Sequence, residues 1–113
     1  MFNGLVAFTA NAQTGVTYTM LLADAYQVLI TQSNASANAI KIPTNASAAI
    51  PVGSVVTILN TGAGLCTISA VTPGTTTVLS AGATAASPTL AQYKSAACIK
   101  TGTDAWYVVG AIA

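Results

Sequence analysis

The sequence predicts an all-β protein: a single-domain antiparallel β-sandwich, jelly-roll-like, of about eight short strands. Three observations lead there. Apolar residues alternate with small polar ones over short runs, the period-two pattern of strands with one buried face. Gly, Pro and Asn fall between those runs, where turns need them. No apolar stripe at i, i+3, i+4 persists long enough for an amphipathic helix. With 113 residues there is room for one core, so residues 17–113 form the sandwich domain and residues 1–16, the least patterned segment, form an N-terminal arm or a first edge strand.

In chain order, residues 17–22 and 27–31 read as the first two strands. They are joined by Ala23-Asp24-Ala25-Tyr26, a hairpin in which Asp24 bonds to nearby backbone. Residues 39–42 follow, with Ile40 and Ile42 on the buried face and Lys41 facing water, stopped by Pro43, which has no donor for a central ladder. Residues 43–53 are a long connection, with Ile50 tucking under the sheet edge. Residues 54–60 and 65–71 flank Thr61-Gly62-Ala63-Gly64 and read as a tight hairpin whose glycines supply positive φ.

A short strand at residues 76–79 follows Pro73-Gly74, and a loop rich in Ala, Ser and Thr leads to the last pair. That pair, residues 90–100 and 105–111, turns at Thr101-Gly102-Thr103-Asp104. In its first member Tyr93, Ser95, Ala97 and Ile99 share one face and Lys94, Ala96, Cys98 and Lys100 the other, which the lysines mark as wet. In the second, Trp106 and Val108 oppose Tyr107 and Val109, so one face is core and the other an interface. Tyr93, Trp106, Tyr107 and Val109 are the candidate interface residues.

Composition removes several function classes. Charged residues are 4% of the chain and hydrophobic ones 53%, the reverse of a disordered chain. Every apolar run is cut well short of the roughly 20 residues a membrane helix needs, and the first residues lack the basic start and apolar block of a secretion signal. Lys41, Lys94 and Lys100 are the only cations, too few and too dispersed to bind phosphate backbones, so no nucleic acid and no membrane is expected as a partner.

The chemical inventory points away from catalysis. There is no His, Glu or Arg, and the only carboxylates are Asp24 and Asp104, both in turn-like contexts. No catalytic residue, cofactor or metal site is expected: Cys66 and Cys98 cannot complete a zinc site without histidine. A disulfide between them is one reading, and two buried free thiols the favoured one. Asn34-Ala35-Ser36 and Asn45-Ala46-Ser47 match the glycosylation acceptor pattern, which in a chain this rich in Asn and Ser carries little weight.

The closing segment, Lys100-Thr101-Gly102-Thr103-Asp104-Ala105-Trp106-Tyr107-Val108-Val109-Gly110, resembles the last hairpin of small β-rich virion proteins of tailed bacteriophages. Thr17-Tyr18-Thr19-Met20, Ile40-Lys41-Ile42-Pro43, Pro51-Val52-Gly53-Ser54-Val55-Val56-Thr57-Ile58 and Gly64-Leu65-Cys66-Thr67-Ile68 follow in the order of that module. The resemblance implies a trimeric β-sandwich in the virion, assembled in the host cytoplasm. The leading expectation is a capsid decoration (cement) protein on the capsid exterior, partnered by the major capsid protein and by copies of itself. The alternative is a receptor-binding or structural module of a tail fibre or head fibre, using Tyr and Trp to hold a glycan. An enzyme built on the two aspartates is the weakest reading.

Overall fold

The computed structural model describes residues 9–113, and its regular structure is strand apart from one short 3-10 turn. These are β1 (Thr9–Gln13), β2 (Thr17–Thr19), β3 (Val28–Gln32), β4 (Asn38–Ile42), β5 (Val55–Asn60), β6 (Cys66–Ala70), β7 (Thr77–Ser80), β8 (Thr89–Leu90), β9 (Ser95–Gly102) and β10 (Ala105–Gly110), with one 3-10 turn at Leu22–Ala25. They form two sheets, one of six strands ordered β1-β3-β5-β9-β10-β7 and one of four ordered β2-β4-β6-β8. Residues 1–8 of the expected arm lie outside the described region; among the described residues β1 stands at one edge of the larger sheet.

The sheets are mixed, which corrects the expected antiparallel arrangement. Among the described residues five of the eight strand pairings are parallel: β1 with β3, β3 with β5, β2 with β4, β4 with β6, and β7 with β10. Parallel neighbours need a crossover. From β1 to β6 each crossover is a strand of the opposite sheet, so these strands wind alternately between the two sheets and each turn stacks in register on the one before.

Two expected hairpins are therefore arches that step between sheets. Residues 17–22 and 27–31 contribute to β2 and β3 in different sheets, and the segments flanking Thr61-Gly62-Ala63-Gly64 become β5 and β6, also in different sheets. Gly62 and Gly64 do not carry positive φ; among the described glycines Gly53 and Gly110 do. What demands glycine is close backbone approach. A Cβ on Gly62 would lie 2.3 Å from the Asn34 nitrogen, and one on Gly64 would lie 1.9 Å from the Ser36 oxygen.

The arches stack by main-chain and amide hydrogen bonds. Gly64 donates to Asn34 O at 2.8 Å and Asn38 to Leu65 O at 3.0 Å, while Ser33 donates to Gln13 O at 2.9 Å and Ala39 to Val16 O at 2.9 Å. Side-chain amides on the inner face extend the same stack. Gln13, Gln32 and Asn60 are register partners across β1, β3 and β5. Gln32 Nε2 donates to Gly15 O and Asn60 Nδ2 to Gly64 O and Leu90 O, which gives the buried donors of this row the partners that burial requires.

The core consists of in-register rows facing each other across the sheets. Ile30, Ile58 and Ala96 form one row of the larger sheet, and Val56, Cys98 and Val108 another. Tyr18, Ile40 and Ile68 form a row of the smaller sheet. The isoleucines and Val56 have no accessible surface. Ile50 is buried as expected from its place in the long connection.

The closing β9-β10 hairpin is antiparallel, as read from the sequence, with an irregularity between Ala105 and Trp106. Its faces are the reverse of the lysine-based assignment. Ala96, Cys98 and Lys100 point into the core while Ala97 and Ile99 lie on the outer side. The alternation continued through Lys100 with the same phase, and the charge was accommodated by polar partners instead of turning the strand over. Lys94 is exposed, in the turn before β9. Lys41 is half-buried and donates to Ser69 Oγ at 2.9 Å.

Candidate functional site

The outer faces of the two sheets differ in chemistry. On the smaller sheet the outward register rows are Thr17, Ala39, Thr67, Thr89 and Thr19, Lys41, Ser69. On the larger sheet they are Val55, Ile99, Tyr107, Leu79 and Leu29, Thr57, Ala97, Val109. Val55, Leu79, Tyr107 and Val109 each expose between 41% and 49% of their surface, and no charged side chain lies in either row. An open groove of about 390 Å³ runs along the β7-β10 edge, lined by Leu79, Ser80, Tyr107, Val109 and Ile112 among others. Contiguous apolar area of this kind marks interaction surfaces on soluble proteins.

Of the four candidate interface residues, Tyr107 and Val109 lie side by side on this face. Tyr93 stands apart from it. It is 77% exposed, has φ of 66° and donates its backbone N–H to Asn60 O at 2.6 Å, a left-handed conformation that costs a bulky residue about 1–3 kcal/mol. Trp106 is not on the surface at all: only 2% exposed, it belongs to the core row with Lys100 and Val78. Strand alternation separates it from Tyr107, and its identity as an aromatic gave no indication of side. Leu79, Ile99 and Val55, absent from the sequence-based set, complete the face; knowing that β5, β9, β10 and β7 are neighbours would have found them.

The two aspartates hold separate sets of partners. Asp24 is buried and accepts from Leu21 N–H at 2.8 Å, Tyr18 OH at 2.6 Å and Asn11 Nδ2 at 3.0 Å. It closes the end of the winding as well as shaping a turn. Asp104 Oδ1 accepts from Asn45 N–H at 2.8 Å and Thr76 Oγ1–H at 3.1 Å, tying the long connection and β7 to the closing hairpin. Lys100, only 2% exposed, donates its Nζ to Asn45 Oδ1 at 2.7 Å and Ile50 O at 2.6 Å, 5.9 Å from the Trp106 ring centroid. Asn45 is thereby occupied as a structural partner.

Cys66 and Cys98 are buried free thiols contributed by opposite sheets. Burial pushes Cys66 from its ordinary 9.0 up to about 11; burial, reinforced by the neighbouring Cys66, pushes Cys98 up to about 12. Tyr18 rises from 10.0 to about 12, through burial first and its hydrogen bond to Asp24 second. All three hold their protons more tightly in the folded state. Between about pH 9 and about pH 12 the folded chain binds more protons than the unfolded one, so stability is expected to fall as pH rises through that window. Thermal midpoints from about pH 8 to about pH 11 check this, and Cys98→Ala with Tyr18→Phe should flatten the decline. A midpoint that stays level or climbs contradicts it.

No family model, curated protein or solved structure matches this chain. Among the described residues no helix is long and apolar enough to cross a membrane, and no three metal-ligating side chains cluster.

Proposed function

We propose that this chain is a structural protein of a bacteriophage virion, a homotrimeric capsid decoration or cement protein that binds the major capsid protein on the outer surface and stabilises the shell. The observation that carries the reading is the uncharged apolar outer face of the β5-β9-β10-β7 region. Its two rows offer side chains that gain by leaving water, and no charge there has to be desolvated when another surface covers them. Attachment through such a face depends weakly on salt, because no ion pairs are screened. The resemblance of the strand segments to small phage virion proteins points the same way, as does an inventory of groups that offers assembly more than chemistry.

The fibre-module alternative is favoured by a different observation, Tyr93 held outward in a strained backbone conformation, as a ring presented to a partner would be. A single comparison separates the two. In the leading reading the purified chain is a trimer that decorates stripped capsids at regular lattice points, and Tyr107→Glu with Val109→Glu abolishes trimer formation or decoration. These outward substitutions should change the urea midpoint of the subunit by no more than about 0.5 kcal/mol. Loss of decoration with Tyr93→Ala and not with the glutamates would move the function to the Tyr93 tip.

A further inference from the structure

We propose that Lys100 and Asn45 become joined by an intramolecular isopeptide bond that the folded chain forms by itself. Lys100 Nζ lies 2.7 Å from Asn45 Oδ1. With a C=O bond of about 1.23 Å and an ordinary hydrogen-bond angle, that places the nitrogen roughly 3.5 Å from the carboxamide carbon, the approach distance of a near-attack conformer. The amine is held from a second side by Ile50 O at 2.6 Å, which fixes its position.

The surroundings suit acyl transfer. Lys100 is almost fully buried against Trp106, so water is a poor competitor for the carbonyl. Asp104, itself held by Thr76, binds the Asn45 main-chain N–H, and acts as a positioning residue that keeps the carboxamide turned to Lys100. Asn45 belongs to the connection between β4 and β5 and Lys100 to β9, 55 residues further on. Only the folded chain brings them together.

The reaction balances without oxidant, metal or cofactor. The Lys100 ammonium gives up a proton and its nitrogen attacks Cγ of Asn45, forming the Nζ–Cγ bond. The Cγ–Nδ2 bond then breaks, and the departing nitrogen takes the protons released by Nζ. One ammonium and one carboxamide become one secondary amide and one ammonium ion. The amine nucleophile and the tetrahedral intermediate at Asn45 Cγ follow ordinary amine chemistry.

Tryptic digestion of the folded, purified chain followed by mass spectrometry decides the matter. Cleavage after Lys41 and Lys94 is unaffected, but Lys100 as an amide is no longer a trypsin site. The expected product is residues 42–94 attached to residues 95–113, lighter than the sum of the two peptides by one ammonia. A free peptide of residues 95–100 ending in unmodified Lys100, with no branched product, overturns the proposal. Lys100→Met and Asn45→Ala chains should give unbranched peptides, and branching that survives in either one also overturns it. Asp104→Ala should reduce the branched fraction several-fold in chains whose circular dichroism remains that of the native fold; an undiminished fraction in folded chains removes Asp104 from the mechanism.

Discussion

Trp106→Ala is expected to cost about 3 to 5 kcal/mol of folding stability, the range for removing a buried large aromatic. The ring is 2% exposed, lies between Val78 of β7 and Lys100 of β9 in its row, and faces the interior from the strand that joins those two. Its removal opens a cavity beside a buried amine, and the walls cannot collapse freely because Lys100 is pinned by Asn45 and Ile50. For a domain whose total stability is about 5–15 kcal/mol, that loss takes a large share. A urea titration of the isolated protein measures it. A shift below about 1 kcal/mol would mean that the ring is not a core element.

Gly64→Ala is the second large effect. A methyl group there would lie 1.9 Å from Ser36 O and 2.7 Å from Asn34 O, both backbone atoms of the arch beneath, which cannot move aside as a flexible side chain would. The connection from β5 to β6 must lift off the connection from β3 to β4, weakening the Gly64 to Asn34 and Asn38 to Leu65 hydrogen bonds. The expected cost is roughly 3 kcal/mol, at the upper end of the overpacking range. Gly74→Ala is the control: nothing lies within 4 Å of its added Cβ, and its midpoint should move by no more than about 0.5 kcal/mol. Equal behaviour of the two variants would contradict the stacked-arch account.

Strand positions were legible in the sequence because alternation of apolar and polar residues reports burial one residue at a time. Ile40 and Ile42 fall on the inner face that the pattern assigns them, and Val56 with Ile58 and Trp106 with Val108 each keep together on one face, although the pattern left open which face was inner. Pairing was not legible, because a hairpin and an arch have the same flanking pattern and both favour glycine. At Gly62 and Gly64 the reason for glycine is contact with a segment about 28 residues away in the register of β3 on β5, and no local signal carries that. Lys100 misled for a related reason: its charge suggested water, while the period of β9 and its cross-strand partner Trp106 pointed inward. The period was the better guide, since a buried amine can be satisfied by a carbonyl and a carboxamide.

The candidate face was half legible. Tyr107 and Val109 are two residues apart in one strand, so alternation places them together on one face, whereas Val55 and Leu79 join them only through a strand order that runs β5-β9-β10-β7. Asp24 and Asp104 were read as turn residues, and their wider role as clamps between distant segments depends on tertiary neighbours such as Tyr18 and Thr76 that no spacing rule identifies.

The position of β9 and β10 within the larger sheet also sets an order of events during synthesis. The strands from β1 to β6 can stack as they leave the ribosome, because each new turn needs only the one already made. β7 cannot: its partner among the described strands is β10, which is translated later, and β10 in turn hangs on β9, which seats against the waiting β5 edge. The last two strands are thus a keystone set into the middle of a sheet. A nascent chain released before residue 110 would carry a completed winding with an unsealed β5 edge and an undocked β7, a state open to pairing with other unfinished copies.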